Sequence, residues 1–203
     1  MHIPTTETKN IDVLTFEDAM IGSMREDYDR EKWLYIPDFY SEYGYILGTK
    51  GERPLICIGI NPSTAEPDNL DNTLKSVERI AHYNGYDSFI MFNVYAQRAT
   101  RPDDMERELN VHMHRENMKA FEYVLSLSKE APSVWAAWGT IIEKRSYLPS
   151  CVLEMIEIGE KYGARWFTAG ARSKKSGHPH HPLYLKKDST LDSFEVKSYI
   201  ENL

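Results

Sequence analysis

Leu55-Ile56-Cys57-Ile58-Gly59-Ile60-Asn61-Pro62-Ser63 is the stretch that decides how this chain folds. Its first six residues are an apolar run of strand length, bounded by turn residues on both sides. Pro62 disfavours helix at Asn61 and fixes its own φ, so the strand must end in a sharp turn. That turn carries a carboxamide, which offers a donor and an acceptor, at the end of a buried strand.

Reading outward, short apolar runs alternate with amphipathic segments. Upstream, Tyr43 to Gly48 reads as a short strand, and the turn Lys50 to Pro54 suggests that it pairs with 55–60 as a hairpin. Downstream, Leu74, Val77, Ile80 and Ala81 recur at helical spacing over 73–83, and Gly85 is a natural stop. Strands are expected at 88–95, 133–138 and 165–168, and helices at 117–129 and 148–162. Such alternation implies βαβ units with helices on both faces of a mostly parallel sheet. The expected fold is therefore α/β, a three-layer α/β/α arrangement around four strands at 55–60, 88–94, 133–138 and 165–168. The whole of 1–203 reads as a single domain, with an N-terminal arm and edge strand over 1–50 and a core over 55–190. In such sheets ligands bind at the carboxyl ends of the strands. Asn61, Asn93 and the loop 178–185 are expected to share that edge.

The composition, 41% hydrophobic and 27% charged in 203 residues, suits a soluble globular domain. No apolar stretch approaches the length of a membrane span, and the first residues lack the layout of a signal peptide. Cys57 and Cys151 read as buried thiols of a reducing compartment, which places the chain in the cytoplasm. The net charge of −7 argues against a general nucleic-acid coat protein. Charge is uneven, however. From Arg165 to Lys187 there is no Asp or Glu, and Arg172, Lys174 and Lys175 make this segment a candidate phosphate-binding surface.

Asn61 either caps its turn or holds a reactant. Asn93 interrupts an apolar strand at its end and needs a partner, either the following loop or the hydrogen-bonding edge of a ligand. His178, His180 and His181 lie in a Pro-bracketed loop, with His112 and His114 elsewhere. A zinc site wants three or four ligands of defined geometry, and no His-Glu-x-x-His or cysteine pair supports one, so no cofactor is expected. A neutral imidazole there can instead donate to charge that builds up in a transition state. Glu66, Asp68 and Asp71 follow Asn61, and each can act as a general base or cap the next helix. Glycine-rich phosphate loops are absent.

The order of these strings resembles the uracil-DNA glycosylase superfamily over roughly residues 55–190. GINPS at 59–63 is similar to the GINPG motif of its mismatch-specific branch. FNVYAQRATRP at 92–102 resembles the strand-end Asn and basic-Pro loop of other branches. WAAWGTII at 135–142 sits where that superfamily has a strand followed by glycine, and HPLYL at 181–185 resembles its His-Pro-x-x-Leu loop. N-P-S-T-A with H-P-L-Y-L also resembles a bacterial and phage family of unknown function. The resemblance implies a four-stranded, mainly parallel sheet and hydrolysis of an N-glycosidic bond of a nucleobase, in DNA as a flipped or single-stranded base or in a free nucleotide. Asn61 would hold the attacking water, Asn93 the base edge, and His181 the departing base anion. A carboxamide is no general base, so Asp71 is the candidate for that role. Ser63 stands where the branch has Gly. Ser63, Tyr95, Arg98 and Tyr184 join Asn93 as expected substrate contacts, with Phe92, Tyr95 and Tyr184 as options for stacking on the base. A catalytically silent nucleotide- or nucleic-acid-binding module is the alternative, and a metal-dependent hydrolase the third.

Overall fold

A computed structural model describes residues 1–22, 25–174 and 176–203. Among these residues seven strands form one sheet: β1 (Trp33–Ile36), β2 (Ile46–Thr49), β3 (Pro54–Gly59), β4 (Ser88–Asn93), β5 (Ser133–Ala136), β6 (Arg165–Ala169) and β7 (Leu191–Ser193). Their spatial order is β1-β2-β4-β3-β5-β6-β7. The four expected strands are its parallel centre, β4-β3-β5-β6. Antiparallel strands flank them, β1 and β2 on one side and β7 on the other, so the sheet is wider than the four strands read from the sequence.

Among the described residues five α-helices accompany the sheet: α1 (Phe16–Ile21), α2 (Asn72–Tyr83), α3 (Val111–Ser126), α4 (Leu148–Lys161) and α5 (Val196–Ile200). The chain leaves β3 for β4 on one side, then turns back past β3 to reach β5. A crossover that keeps one hand must change faces when it changes direction. Accordingly α2 covers one face, packing Leu74, Val77 and Ile80 on Leu55, Cys57 and Phe89. α3 and α4 cover the other, packing Phe121, Val124 and Val152 near Ile56, Ile58 and Phe92. Successive residues of β3 thus enter opposite cores, which is why the run is apolar without alternation. Full burial of each such side chain contributes roughly 1.5–3 kcal/mol.

The expected hairpin between 43–48 and 55–60 does not form. β2 pairs with β1 and β4, through Leu47↔Met91 and Gly48↔Ile90, and β4 lies between β2 and β3. Asp87, at the foot of β4, accepts the backbone N–H groups of Glu52 and Arg53 at 2.9 Å each, so the turn wraps beneath that strand. Gly48 allows the close pairing, because a β-carbon on it would meet the Phe89 carbonyl oxygen at 2.3 Å. Helix α3 starts six residues earlier than its apolar spacing predicts. Asn110 caps it by accepting from Met113 N at 3.1 Å, and His112 and His114 use their rings on Val13 O and Glu154. No helix among the described residues is long and apolar enough to cross a membrane.

Candidate active site

The reversal of strand order around β3 leaves a crevice at the carboxyl ends of β3, β4 and β5, the position where doubly wound sheets bind ligands. A cavity of about 330 Å³ opens there. Asn61, Ser63, Asp71, Asn93, Arg98 and His181 all line it. Six of the residues singled out from the sequence therefore meet, from four separate segments of chain.

Asn61 follows β3. Its Nδ2 donates to the carbonyls of Ala99 and Pro62, the latter at 3.3 Å. Both partners are acceptors, which fixes the amide orientation. The donor half is thus tied to backbone, and the acceptor Oδ1 has no hydrogen bond among the described residues. Asn93 ends β4 and is 5% exposed. Asn117 Nδ2 donates to its backbone carbonyl at 3.0 Å, but its own Oδ1 is buried with no partner among the described residues. A buried acceptor left unmet costs about 1–3 kcal/mol, so it is a feature that requires a reason.

Asp71 is the N-cap of α2, its Oδ1 accepting from Leu74 N at 2.9 Å. The capping role and the place on the cavity wall are both realised. His181 accepts at Nδ1 from Leu183 N at 3.3 Å, so the neutral ring carries its proton on Nε2. Burial lowers the pKa of this imidazole below its ordinary value, while the charge of Asp71 opposes the shift. The ring is a neutral donor at pH 7. Its loop is anchored by Ser76 Oγ, which donates to Pro182 O at 2.8 Å. A buried chain, Trp138 Nε1 to Tyr199 Oη at 3.1 Å and Tyr199 Oη to His178 Nδ1 at 2.8 Å, anchors it again. His178 is therefore a clamp, separated in role from His181.

Arg98 is 3% exposed. Its Nε donates to Ser41 O at 2.9 Å and its Nη1 to Ser63 O, and its Cζ lies 4.6 Å from the centre of the Tyr40 ring. Ser63 Oγ accepts from Ala65 N at 3.2 Å, leaving the hydroxyl proton free to donate.

The remaining described residues singled out from the sequence do not line this cavity. Tyr95 is fully buried away from the cavity. Its hydroxyl donates to Glu106 and accepts from Asn110 N at 3.0 Å, and burial drives its pKa far up, so it holds the loop rather than substrate. Phe92 packs on Phe121 at 5.2 Å between centroids, on the α3 face. Tyr184 is 75% exposed and outside the cavity lining, with its ring 6.2 Å from that of His181. Arg172 and Lys174 are exposed and also outside it, Arg172 lying over the Phe194 ring. Lys175 lies outside the described residues. Among the described residues no three His, Cys, Asp or Glu side chains come together as a metal site.

The aromatic wall comes instead from Tyr35 on β1, Tyr45 before β2 and Trp138 after β5. Burial pushes the Tyr35 hydroxyl up to about 12. Tyr35 lies in what reads as the N-terminal arm, and Tyr45 in the short strand read over 43–48. The aromatic content of Trp33-Leu34-Tyr35-Ile36 was the available signal, since such a run suits a strand.

A family match spans residues 45–183, under the description "Protein of unknown function (DUF1643)". The chain belongs to this family. The DUF1643 segment takes in β2 through the His181 loop, and with it every polar side chain described above as facing the cavity except Tyr35. No curated protein and no solved structure matches the chain.

Proposed function

We propose that this DUF1643 chain hydrolyses the N-glycosidic bond of a nucleobase, and that it is distantly akin to the uracil-DNA glycosylases. The convergence of Asn61, Asp71, Asn93 and His181 on one cavity is the observation that carries the reading. When the bond between the sugar C1′ and the base nitrogen breaks, its electron pair leaves with the base. An oxocarbenium-like sugar remains, and negative charge collects on the base. A neutral Nε2–H on His181 donates to that charge without first holding a proton that repels the sugar cation. The unmet Oδ1 of Asn93, with the amide nitrogen beside it, matches a base edge that offers a donor next to an acceptor. Water then adds to C1′. The free Oδ1 of Asn61 accepts one of its hydrogens, and Asp71 accepts the proton it loses.

The test is base release, followed by chromatography, from free nucleosides, nucleotides, single strands and duplexes. His181→Ala should lower turnover by about 10²–10³-fold with little change in binding. Asn61→Ala and Asp71→Asn should each slow it too. Binding without release from any substrate would favour a silent nucleotide-binding module. Release that survives loss of both Asn61 and His181 would put the chemistry elsewhere.

A further inference from the structure

The cavity holds a positive charge that glycosidic chemistry does not require. Arg98 is almost wholly buried, yet no carboxylate forms an ion pair with it among the described residues. Its partners among the described residues, the carbonyls of Ser41 and Ser63, the Tyr35 hydroxyl and the face of Tyr40, are all neutral. The carboxylate whose charge acts on it, Glu66, accepts from Arg25 at 3.2 Å and from the Tyr35 hydroxyl at 3.4 Å. Burial accordingly lowers the pKa of the guanidinium, and Tyr35, Tyr40 and Glu66 offset that only in part. An uncompensated buried cation is costly to keep and invites an anion.

The surroundings indicate which anion. Arg98 lines the same cavity as Asn93, and Ser63, whose backbone carbonyl Arg98 holds, and Thr64 add hydroxyl-bearing residues to its wall. Ser63 keeps a proton to donate. A guanidinium with neighbouring hydroxyl donors suits the several oxygens of a phosphate. The exposed cations of the basic segment, Arg172 and Lys174, stand apart from the cavity and do not supply this contact. A phosphodiester inside a polynucleotide carries a sugar on each side and cannot bring its oxygens to a group 3% exposed without threading the chain through the cavity. A terminal phosphate can.

We infer that Arg98, with Ser63, binds the phosphate of a free nucleoside monophosphate, so that the substrate is a small nucleotide rather than a nucleic acid strand. The inference rests on the glycosidic reading of the same cavity, and it fails separately from it. The protein is titrated calorimetrically with nucleoside 5′-monophosphates, with the matching nucleosides and with a single-stranded oligonucleotide. At least one monophosphate should bind ten or more times more tightly than its nucleoside. Arg98→Gln should remove that preference while leaving nucleoside affinity in place. If that variant does not fold, Ser63→Ala, which keeps the backbone contact, should reduce the preference severalfold. No binding of any monophosphate, equal affinity for monophosphate and nucleoside, or tighter binding of the oligonucleotide would overturn the inference. Base release is scored on the same samples. A bound monophosphate that is never cleaved upholds the phosphate site and overturns the hydrolase. Cleavage of the oligonucleotide alone does the reverse.

Discussion

Gly59 stands directly opposite Asn93 in the parallel register of β3 and β4, and a β-carbon on Gly59 would lie 3.0 Å from Asn93 Oδ1 and 2.5 Å from Met91 Cε. The bare backbone at Gly59 is what gives the Asn93 amide its space. Gly59→Ala should therefore displace that amide and the Met91 tip together. Overpacking of this kind costs about 1–3 kcal/mol. The expected result is a lower urea midpoint together with weaker ligand binding, and retained binding would show that the amide is not a contact.

Asn93→Ala should separate stability from binding. The substitution removes a buried acceptor that has no partner. Relief of about 1–3 kcal/mol of desolvation offsets the packing that is lost. Unfolding in urea should show stability equal to or above the parent, while nucleotide binding is lost. A drop of several kcal/mol would make Asn93 a structural residue.

Tyr199→Phe should act in the opposite sense. It leaves Trp138 Nε1 without an acceptor and His178 Nδ1 without a donor, both in a buried chain. Each orphaned group costs about 1–3 kcal/mol. Denaturant unfolding should report the loss directly, and an unchanged midpoint would mean that the His loop is held by Ser76 alone.

The acid limb of stability should carry the signature of His181. Its folded-state pKa lies below its ordinary 6.5 because the ring is buried. The unfolded chain then takes up the proton first. Stability from this group is complete above pH 6.5 and declines as pH falls toward the folded value. The urea midpoint of the parent should fall below pH 6.5 more steeply than that of His181→Gln. Parallel curves would place the ring in ordinary solvent.

Charge reversal on the basic segment should leave small ligands alone. Arg172→Glu and Lys174→Glu lie outside the cavity lining. Monophosphate affinity, measured by calorimetry, should stay within about twofold, as expected for screened surface charges. A tenfold loss would return the phosphate site to the segment first read from the sequence.

The sequence carried the centre of this structure more clearly than its edges. β3, β4 and β5 are buried on both sides, so their apolar runs announce themselves without reference to partners, while β6 opens on an exposed Arg165 and is legible mainly through Trp166 and Phe167. Helices α2 and α4 follow from their 3.6-residue spacing and from glycines beyond their ends. β1 and β7 are short edge strands, and their pairing depends on neighbours far along the chain. The hairpin expectation failed because local turn residues do not reveal that β4 lies between β2 and β3. Of the cavity lining, Asn61 and Asn93 were legible because each is a polar group where an apolar strand stops, Asp71 because it precedes a helix, and Arg98 and His181 through the motifs that carry the resemblance. Tyr95 misled because its partner Glu106 lies in a loop whose path is a tertiary property. Tyr35 and Tyr45 were hidden for the converse reason, since nothing local joins them to Asn61.

The cavity wall draws on Tyr35, near the beginning of this sequence, and His181, close to its end, with the parallel strands formed in between. During synthesis the central sheet can assemble while the imidazole is still inside the ribosome. A nascent chain that has emerged only through β6 has Asn61, Asp71 and Asn93 but lacks His181. The Tyr199 anchor emerges later still. His181 therefore joins the cavity only after every parallel strand has emerged, and a chain cut short before Tyr199 would lack the anchor that holds His178.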